Sequence, residues 1–447
     1  MKPLVKTTIP GQKSIEVIQR MKKNIGKSLY IGLYGIILSK GKGALISDID
    51  GNVFLDFLSG ASVVNVGYGR EDVIKTFADV SKRIQHTCFP YSPNLEAVEL
   101  AEKFKTITPG NFDKRVIFGL TGSDSMDAGI KAARKFTKKR KVISFKNAYH
   151  GSTGISLQAN GFPGLQKGLF LGEDFIFVDF PSNKEHAEKI LNEIEGILKK
   201  GDVCAIVTEP VQGDGGNVVP PLDFHKKLSD LVHDYDGLFV VDEVQSGTGR
   251  SGKWWEIEYF NVVPDILATA KGITSGYAPL SVCIGREEII NSLDKAQHLF
   301  TYSAHPPSCA VANKVISIIE EEKLMENAKI MGNLLKDKLN ELCKKGSCAR
   351  KARGMGLHIG FEVIDPDTNK PLGGLFGLRC LEKGLYPGYF GPNNNVMRLH
   401  PPLIINKEQM QFAIDTISDV VNEWDSGKFP KETIENYKKV GVGLGTD

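Results

Sequence analysis

Through the middle of this chain, short apolar runs alternate with helical or glycine-rich segments, and the runs themselves are uninterrupted. Between Lys114 and Gly285 they fall at residues 116–118, 142–145, 175–178, 204–208, 238–241, 266–268 and 280–284. Strands buried on both faces read in this way, so the block predicts a mainly parallel sheet covered by helices. Ahead of it, residues 44–58 alternate partly apolar and polar positions around Asp50-Gly51-Asn52. That pattern predicts a β-hairpin, because Asp and Gly tolerate the positive φ of its turn. Amphipathic helices are expected over 71–83 and 95–106, and long helices over 308–322 and 324–345. Beyond them the pattern changes to smaller units at 357–363, 375–383, 396–399 and 407–422. Residues 425–447 are polar and glycine-containing, and are expected to be mobile. No repeat of fixed period and no low-complexity segment interrupts the series.

Composition narrows the partners. The 447 residues are 41% hydrophobic, carry a net charge of +3 and include 47 glycines. Disorder is excluded as the main character, and the length suits two to four domains with a large core. No sign of charge dominates and no long block of like charges occurs, so neither nucleic acid nor an anionic membrane is an expected partner. A small molecule is. Seven cysteines, sparse and odd in number, do not form a secreted disulfide framework and point to a reducing cytoplasm. Residues 1–20 interleave Lys2, Lys6, Lys13 and Glu16 with isolated apolar positions and lack the apolar core of a signal peptide. The apolar stretch 31–38 contains Gly32 and Gly35 and falls well short of the roughly 18 residues of a membrane span.

Three familiar patterns lead nowhere. Gly247-Thr-Gly-Arg-Ser-Gly252 has the spacing of a dinucleotide fingerprint, but Lys253-Trp254-Trp255 follows it in place of a small-residue helix start. Gly26-Lys27-Ser28 resembles the end of a phosphate loop whose first glycine is replaced by Met21. Cys343 and Cys348 bracket a plausible turn with no second ligand pair nearby, so no metal is expected.

The informative features are turns at the carboxyl ends of the expected strands, where open α/β sheets bind ligands. After 116–118 comes Gly119-Leu120-Thr121-Gly122-Ser123-Asp124, leading into a helix with small residues at Ala128, Ala132 and Ala133. Free amides at that helix start, with the Thr121 and Ser123 hydroxyls, suit a phosphate; a plain helix cap is the alternative. Asp242 and Glu243 follow the run 238–241. A carboxylate there needs a cation partner or it takes up a proton. Lys271 follows 266–268 among small residues, placed for desolvation and nucleophilic use. An anchor, a carboxylate and a sheltered lysine at neighbouring strand ends match what pyridoxal phosphate requires.

Thr121-Gly122-Ser123-Asp124, Tyr149-His150-Gly151, Glu209-Pro-Val-Gln212-Gly, Val241-Asp242-Glu-Val-Gln245-Ser-Gly, Ala270-Lys271-Gly and Arg398-Leu-His-Pro-Pro-Leu403 occur in the order and at about the spacing of the class III aminotransferases. The chain resembles that family over about residues 40–424. The resemblance implies the fold-type I architecture of pyridoxal-phosphate enzymes: a large α/β domain at 61–330 and a smaller α+β domain built from 1–60 and 331–447. It implies that Lys271 carries the cofactor as a Schiff base and shuttles the α-proton, and that Asp242 keeps the pyridine nitrogen protonated. Gly122 and Ser123 would bind the phosphate, Tyr149 would lie over the ring, with core packing as its alternative, and Gln245 would reach the phenolic oxygen. Glu209 would stand on the substrate side. Arg398 would pair with a substrate carboxylate unless it serves a structural salt bridge. Thr301, in Thr301-Tyr-Ser-Ala-His305-Pro306, would touch the phosphate of a neighbouring subunit's cofactor, which implies a homodimer or a dimer of dimers.

Departures from the common pattern bear on the reaction. Asp124 and Met126, Tyr149-His-Gly-Ser152 and Asp214 replace residues usual in the family. With Ala61-Ser-Val-Val-Asn-Val-Gly67 and His298-Leu-Phe-Thr301 they resemble the branch that racemises or epimerises amino acids, the isoleucine 2-epimerase type. In that branch the carboxylate matching Asp214 is a candidate second acid/base; an ordinary turn residue is the alternative. The expectation is transfer of an amino group between an amino acid and a 2-oxo acid, with racemisation or epimerisation as the alternative. A pyridoxal-phosphate-sensing transcription regulator is disfavoured, because only about 40 residues precede the first family-like hairpin. A degenerate scaffold would more readily have lost Lys271 or Asp242. The substrate's side chain is not legible; the pocket is expected to involve residues 30–34 and 62–65.

Overall fold

Each apolar run of the middle of the chain becomes a strand in the computed structural model, which describes residues 2–440. In chain order the strands are β1 (Leu38–Lys42), β2 (Leu45–Asp48), β3 (Val53–Phe57), β4 (Lys114–Gly119), β5 (Lys141–Phe145), β6 (Phe175–Val178), β7 (Val203–Thr208), β8 (Leu238–Asp242), β9 (Ile266–Thr269), β10 (Ser281–Arg286), β11 (Ala349–Met355), β12 (His358–Val363), β13 (Leu385–Phe390) and β14 (Val396–Leu399). Two compact units result, one from Met1–Arg70 with Glu326–Asp447 and the other from Glu71–Met325.

The unit Glu71–Met325 is built on a sheet of order β4-β10-β9-β8-β7-β5-β6. From β9 to β6 every pair is parallel, and β10 runs antiparallel to both its neighbours. The expectation of a mainly parallel sheet holds. Every residue of β7 and β8 is buried, the physical reason that their sequences show no alternation. Helix Gly122–Thr137 lies on this sheet through Ala128, Gly129, Ala132 and Ala133. A Cβ on Gly129 would stand 3.2 Å from Ile266 Cγ2, so small residues set the depth of packing. Two reversals across β10 return β4 to the direction of β9. The carboxyl end of β4 therefore joins those of β5, β7, β8 and β9 along one edge.

The other unit carries the sheet β1-β2-β3-β13-β14-β12-β11, in which β3 and β13 form a parallel pair with Leu385 opposite Leu55. β2 and β3 form the expected hairpin, its turn closed by Asn52 N donating to Asp48 Oδ1 at 2.8 Å and by Gly51 at φ 90°. Just beyond β3, Ser59, Gly60, Ala61 and Ser62 all take positive φ, 52° to 69°. This left-handed turn is held by the Ser59 hydroxyl donating to the His400 carbonyl and by Ser62 Oγ against His400 Nδ1, both at 2.6 Å. The tail differs from expectation. Residues 431–440 form helix Lys431–Val440, packed so closely on helix Gly373–Glu382 that a Cβ on Gly374 would meet Tyr437 Oη at 2.1 Å. Residues 441–447, part of the stretch expected to be mobile, lie outside the described residues. Among the described residues no helix is long and apolar enough to cross a membrane.

Candidate active site

The turn after β4 is shaped by one buried carboxylate. Asp124 accepts hydrogen bonds from Leu120 N at 2.9 Å, Thr121 N at 3.0 Å and Ser281 Oγ at 2.6 Å. In return Thr121 Oγ1 accepts from Asp124 N, completing a capping box. The helix cap and the anion site are thus compatible readings. The cap takes Asp124 N and leaves the first-turn amides of Gly122 and Ser123, which an α-helix does not satisfy internally, for an outside acceptor.

The turn after β5 docks onto this one. Ser123 Oγ accepts from Ser152 N at 3.0 Å, and Tyr149 Oη lies 2.8 Å from Ser152 Oγ. Gly151 has φ 131°, and a Cβ there would fall 2.5 Å from Ser123 Oγ, so this position requires glycine. Its neighbour His150 is fully buried and places Nδ1 2.8 Å from Asp242 Oδ2, while Asp242 Oδ1 accepts from Val244 N at 3.0 Å. Asp242 therefore has a cation-capable partner and a fixed orientation at the end of β8. The role of His150 was not legible beforehand. It stands in a family motif, but nothing in the spacing ties it to a carboxylate 92 residues away.

After β7, Glu209 accepts from Tyr149 N at 3.2 Å and Gly213 N at 2.8 Å. Burial pushes its carboxyl up to about 7; the carboxylates of Asp242 and Asp214 add to the shift, and His150 opposes it. Asp214, on the same turn, accepts from Gln245 Nε2 at 3.4 Å. Lys271 follows β9 at φ 42°, an unusual conformation for a lysine. Register places Ala268 opposite Asp242, three positions before that lysine. The structure thus brings Gly122, Ser123, Tyr149, Glu209, Asp214, Asp242 and Gln245 into linked turns, with Lys271 on the adjoining strand end. Thr301 is exposed in a turn. Arg398 belongs to the other unit, where it is buried on β14 with its guanidinium 3.4 Å from the centroid of the Phe390 ring.

These turns suit pyridoxal phosphate by their donor set: unsatisfied helix-start amides for a dianion, an oriented carboxylate for a pyridinium, an amide side chain and a lysine. The family model for aminotransferase class-III matches residues 32–421. The chain belongs to the class III aminotransferases. An alanine/serine racemase of Pyrococcus horikoshii is 33% identical over 97% of this chain and 95% of its own. A leucine/methionine racemase of Thermococcus litoralis is 34% identical over 94% and 98%. Among solved structures, a transaminase from the marine bacterium Virgibacillus superposes with a TM-score of 0.85 at 31% identity, covering 92% of this chain and 99% of that one. This class III aminotransferase is accordingly a pyridoxal-phosphate-dependent enzyme of fold-type I, in a family whose members include both aminotransferases and racemases.

Proposed function

We propose that this enzyme inverts the α-carbon of an amino acid, as a racemase or epimerase, with transfer of the amino group to a 2-oxo acid as the second reading. When bound, pyridoxal phosphate supplies an electron sink that makes the Cα proton of an amino acid acidic. Gly122 and Ser123 would hold its phosphate, Asp242, braced by His150, its ring nitrogen, and Gln245 its phenolic oxygen, and Tyr149 would cover its face. Lys271 would hold it covalently through Nζ and, once the substrate's amino group has displaced that amine, would take the Cα proton at Nζ. Arg398 is the proposed anchor of the substrate carboxylate.

Inversion returns a proton to Cα from the other side, from a second group there or from a lysine that reaches the substrate from either side, and a second carboxyl group supports the reading. The observation that carries it is the turn after β7, where Glu209 and Asp214 share one hydrogen-bonded loop and Glu209 binds a proton up to about pH 7. The carboxyl pair, Asp214 with Glu209 as the proton reserve on the same turn, gives a proton to Cα as Lys271 takes one; for the opposite enantiomer the roles exchange. The close structural likeness to a transaminase favours the second reading. Two further proposals concern the setting. The exposure of Thr301 supports a homodimer in which it meets the second copy's cofactor. The seven cysteines are free thiols, which supports a reducing cytoplasm.

The test incubates holoenzyme with single L-amino acids and no 2-oxo acid. The D-isomer is expected to accumulate while the cofactor spectrum is retained, and Asp214→Asn is expected to slow inversion at least tenfold. Conversion of the cofactor to its amine form with no D-isomer overturns the racemase reading in favour of transamination.

A further inference from the structure

Helix Phe224–His233 carries a histidine where its surroundings favour a hydrocarbon. His225 is fully buried, with ring centroids of Phe260, Phe224, Phe239 and Phe180 at 4.6, 5.4, 6.2 and 6.3 Å. Its Nε2 lies 2.8 Å from the carbonyl of Pro210. A carbonyl only accepts, so Nε2 carries the hydrogen and Nδ1 is bare. That Nδ1 is buried with no partner among the described residues. A buried acceptor left unpaired costs stability that a leucine or phenylalanine would not.

The other end of the same peptide is held as well. Val211 N–H donates to the carboxyl of Glu256, which is fully buried. The Pro210–Val211 bond is trans, so its carbonyl and its N–H point opposite ways, one to each of these side chains. Burial moves the His225 imidazole down to about 4, so it is neutral near pH 7, and raises the Glu256 carboxyl well above its ordinary range. Burial, with Glu256 beside it, likewise raises Glu243, the residue after Asp242, which accepts from Ile257 N at 2.7 Å and Ser246 Oγ at 2.5 Å.

We infer that His225 and Glu256 are positioning residues: by gripping both polar ends of the Pro210–Val211 peptide they set the plane of the turn that presents Glu209 and Asp214. The inference rests on the reading that these two carboxyl groups serve the proton step. It goes beyond that reading by assigning the aim of the turn to two side chains outside it.

The test uses holoenzyme carrying His225→Phe, His225→Gln, Glu256→Met or Glu256→Gln. His225→Phe fills an aromatic cage and is expected to keep or raise the thermal midpoint. Its kcat for inversion is expected to fall at least tenfold with KM within threefold. The base-side midpoint of kcat/KM, set by loss of the Glu209 proton near 7, is expected to move. Gln at 225 again offers an N–H and Gln at 256 again offers an acceptor, and each is expected to recover most of the loss. Glu256→Met repeats the test from the other end of the peptide should His225→Phe not fold. A His225→Phe enzyme with the kcat and midpoint of the parent overturns the inference. Wild-type enzyme that forms no D-isomer overturns the racemase reading instead, and the positioning role is then judged on the same midpoint in amino transfer.

Discussion

At the scale of single residues, Glu209 has the sharpest consequence for pH. Its carboxyl binds a proton up to about 7 in the folded chain, above the ordinary 4.5. The native form therefore holds a proton that the unfolded form has lost between those values, and stability falls as pH rises through that window. Glu209→Gln has no charge to desolvate. Its stability relative to the parent is expected to improve from pH 5 to about pH 7 and to level off above, as read by thermal midpoints at each pH. Glu209, Lys271 and Asp242 were legible as candidates because each stands at a strand end within a family motif. His150 and His225 were not, because their partners are distant in sequence and histidine is compatible with both core and site. Nor was the left-handed turn: of Ser59, Gly60, Ala61 and Ser62 only one is a glycine, and the hydrogen bonds that sustain it come from His400.

Elements were legible where burial on two faces left continuous apolar runs, as in β7 and β8. β1 (LSKGK) and β11 (ARKARGM) escaped, because strands at the rim of a sheet carry charges that keep them from pairing further. β13 (LYPGYF) escaped because Pro387-Gly388 reads as a turn, yet it pairs with both β3 and β14. The phosphate turn shows how an element depends on a neighbour. Asp124 ties helix Gly122–Thr137 to its own leading turn and to β10 through Ser281. Asp124→Ala is expected to cost at least about 3 kcal/mol in urea unfolding, since a single hydrogen bond to a charged group contributes roughly 1.5–3 kcal/mol and Asp124 accepts several. Fluorescence titration is expected to show cofactor binding weakened about tenfold, a loss of about 1.4 kcal/mol.

At the scale of the molecule, one unit is a continuous stretch and the other is assembled from both ends of the chain. The β3–β13 pairing carries that assembly. Deletion of residues 1–60 removes β1, β2 and β3 and leaves one side of β13 without its partner strand. Such a chain is expected to self-associate, seen as rising light scattering at concentrations where the full chain stays clear; an unchanged monodisperse signal would contradict this. The same pairing has a consequence for synthesis on the ribosome. Leu55 leaves the exit tunnel long before Leu385, its partner in register. At roughly 5–20 residues per second the delay is on the order of 15–70 seconds. The intervening unit has time to close first, while the hairpin ahead of it waits, its outer edge a target for nascent-chain chaperones until the last quarter of the message is read.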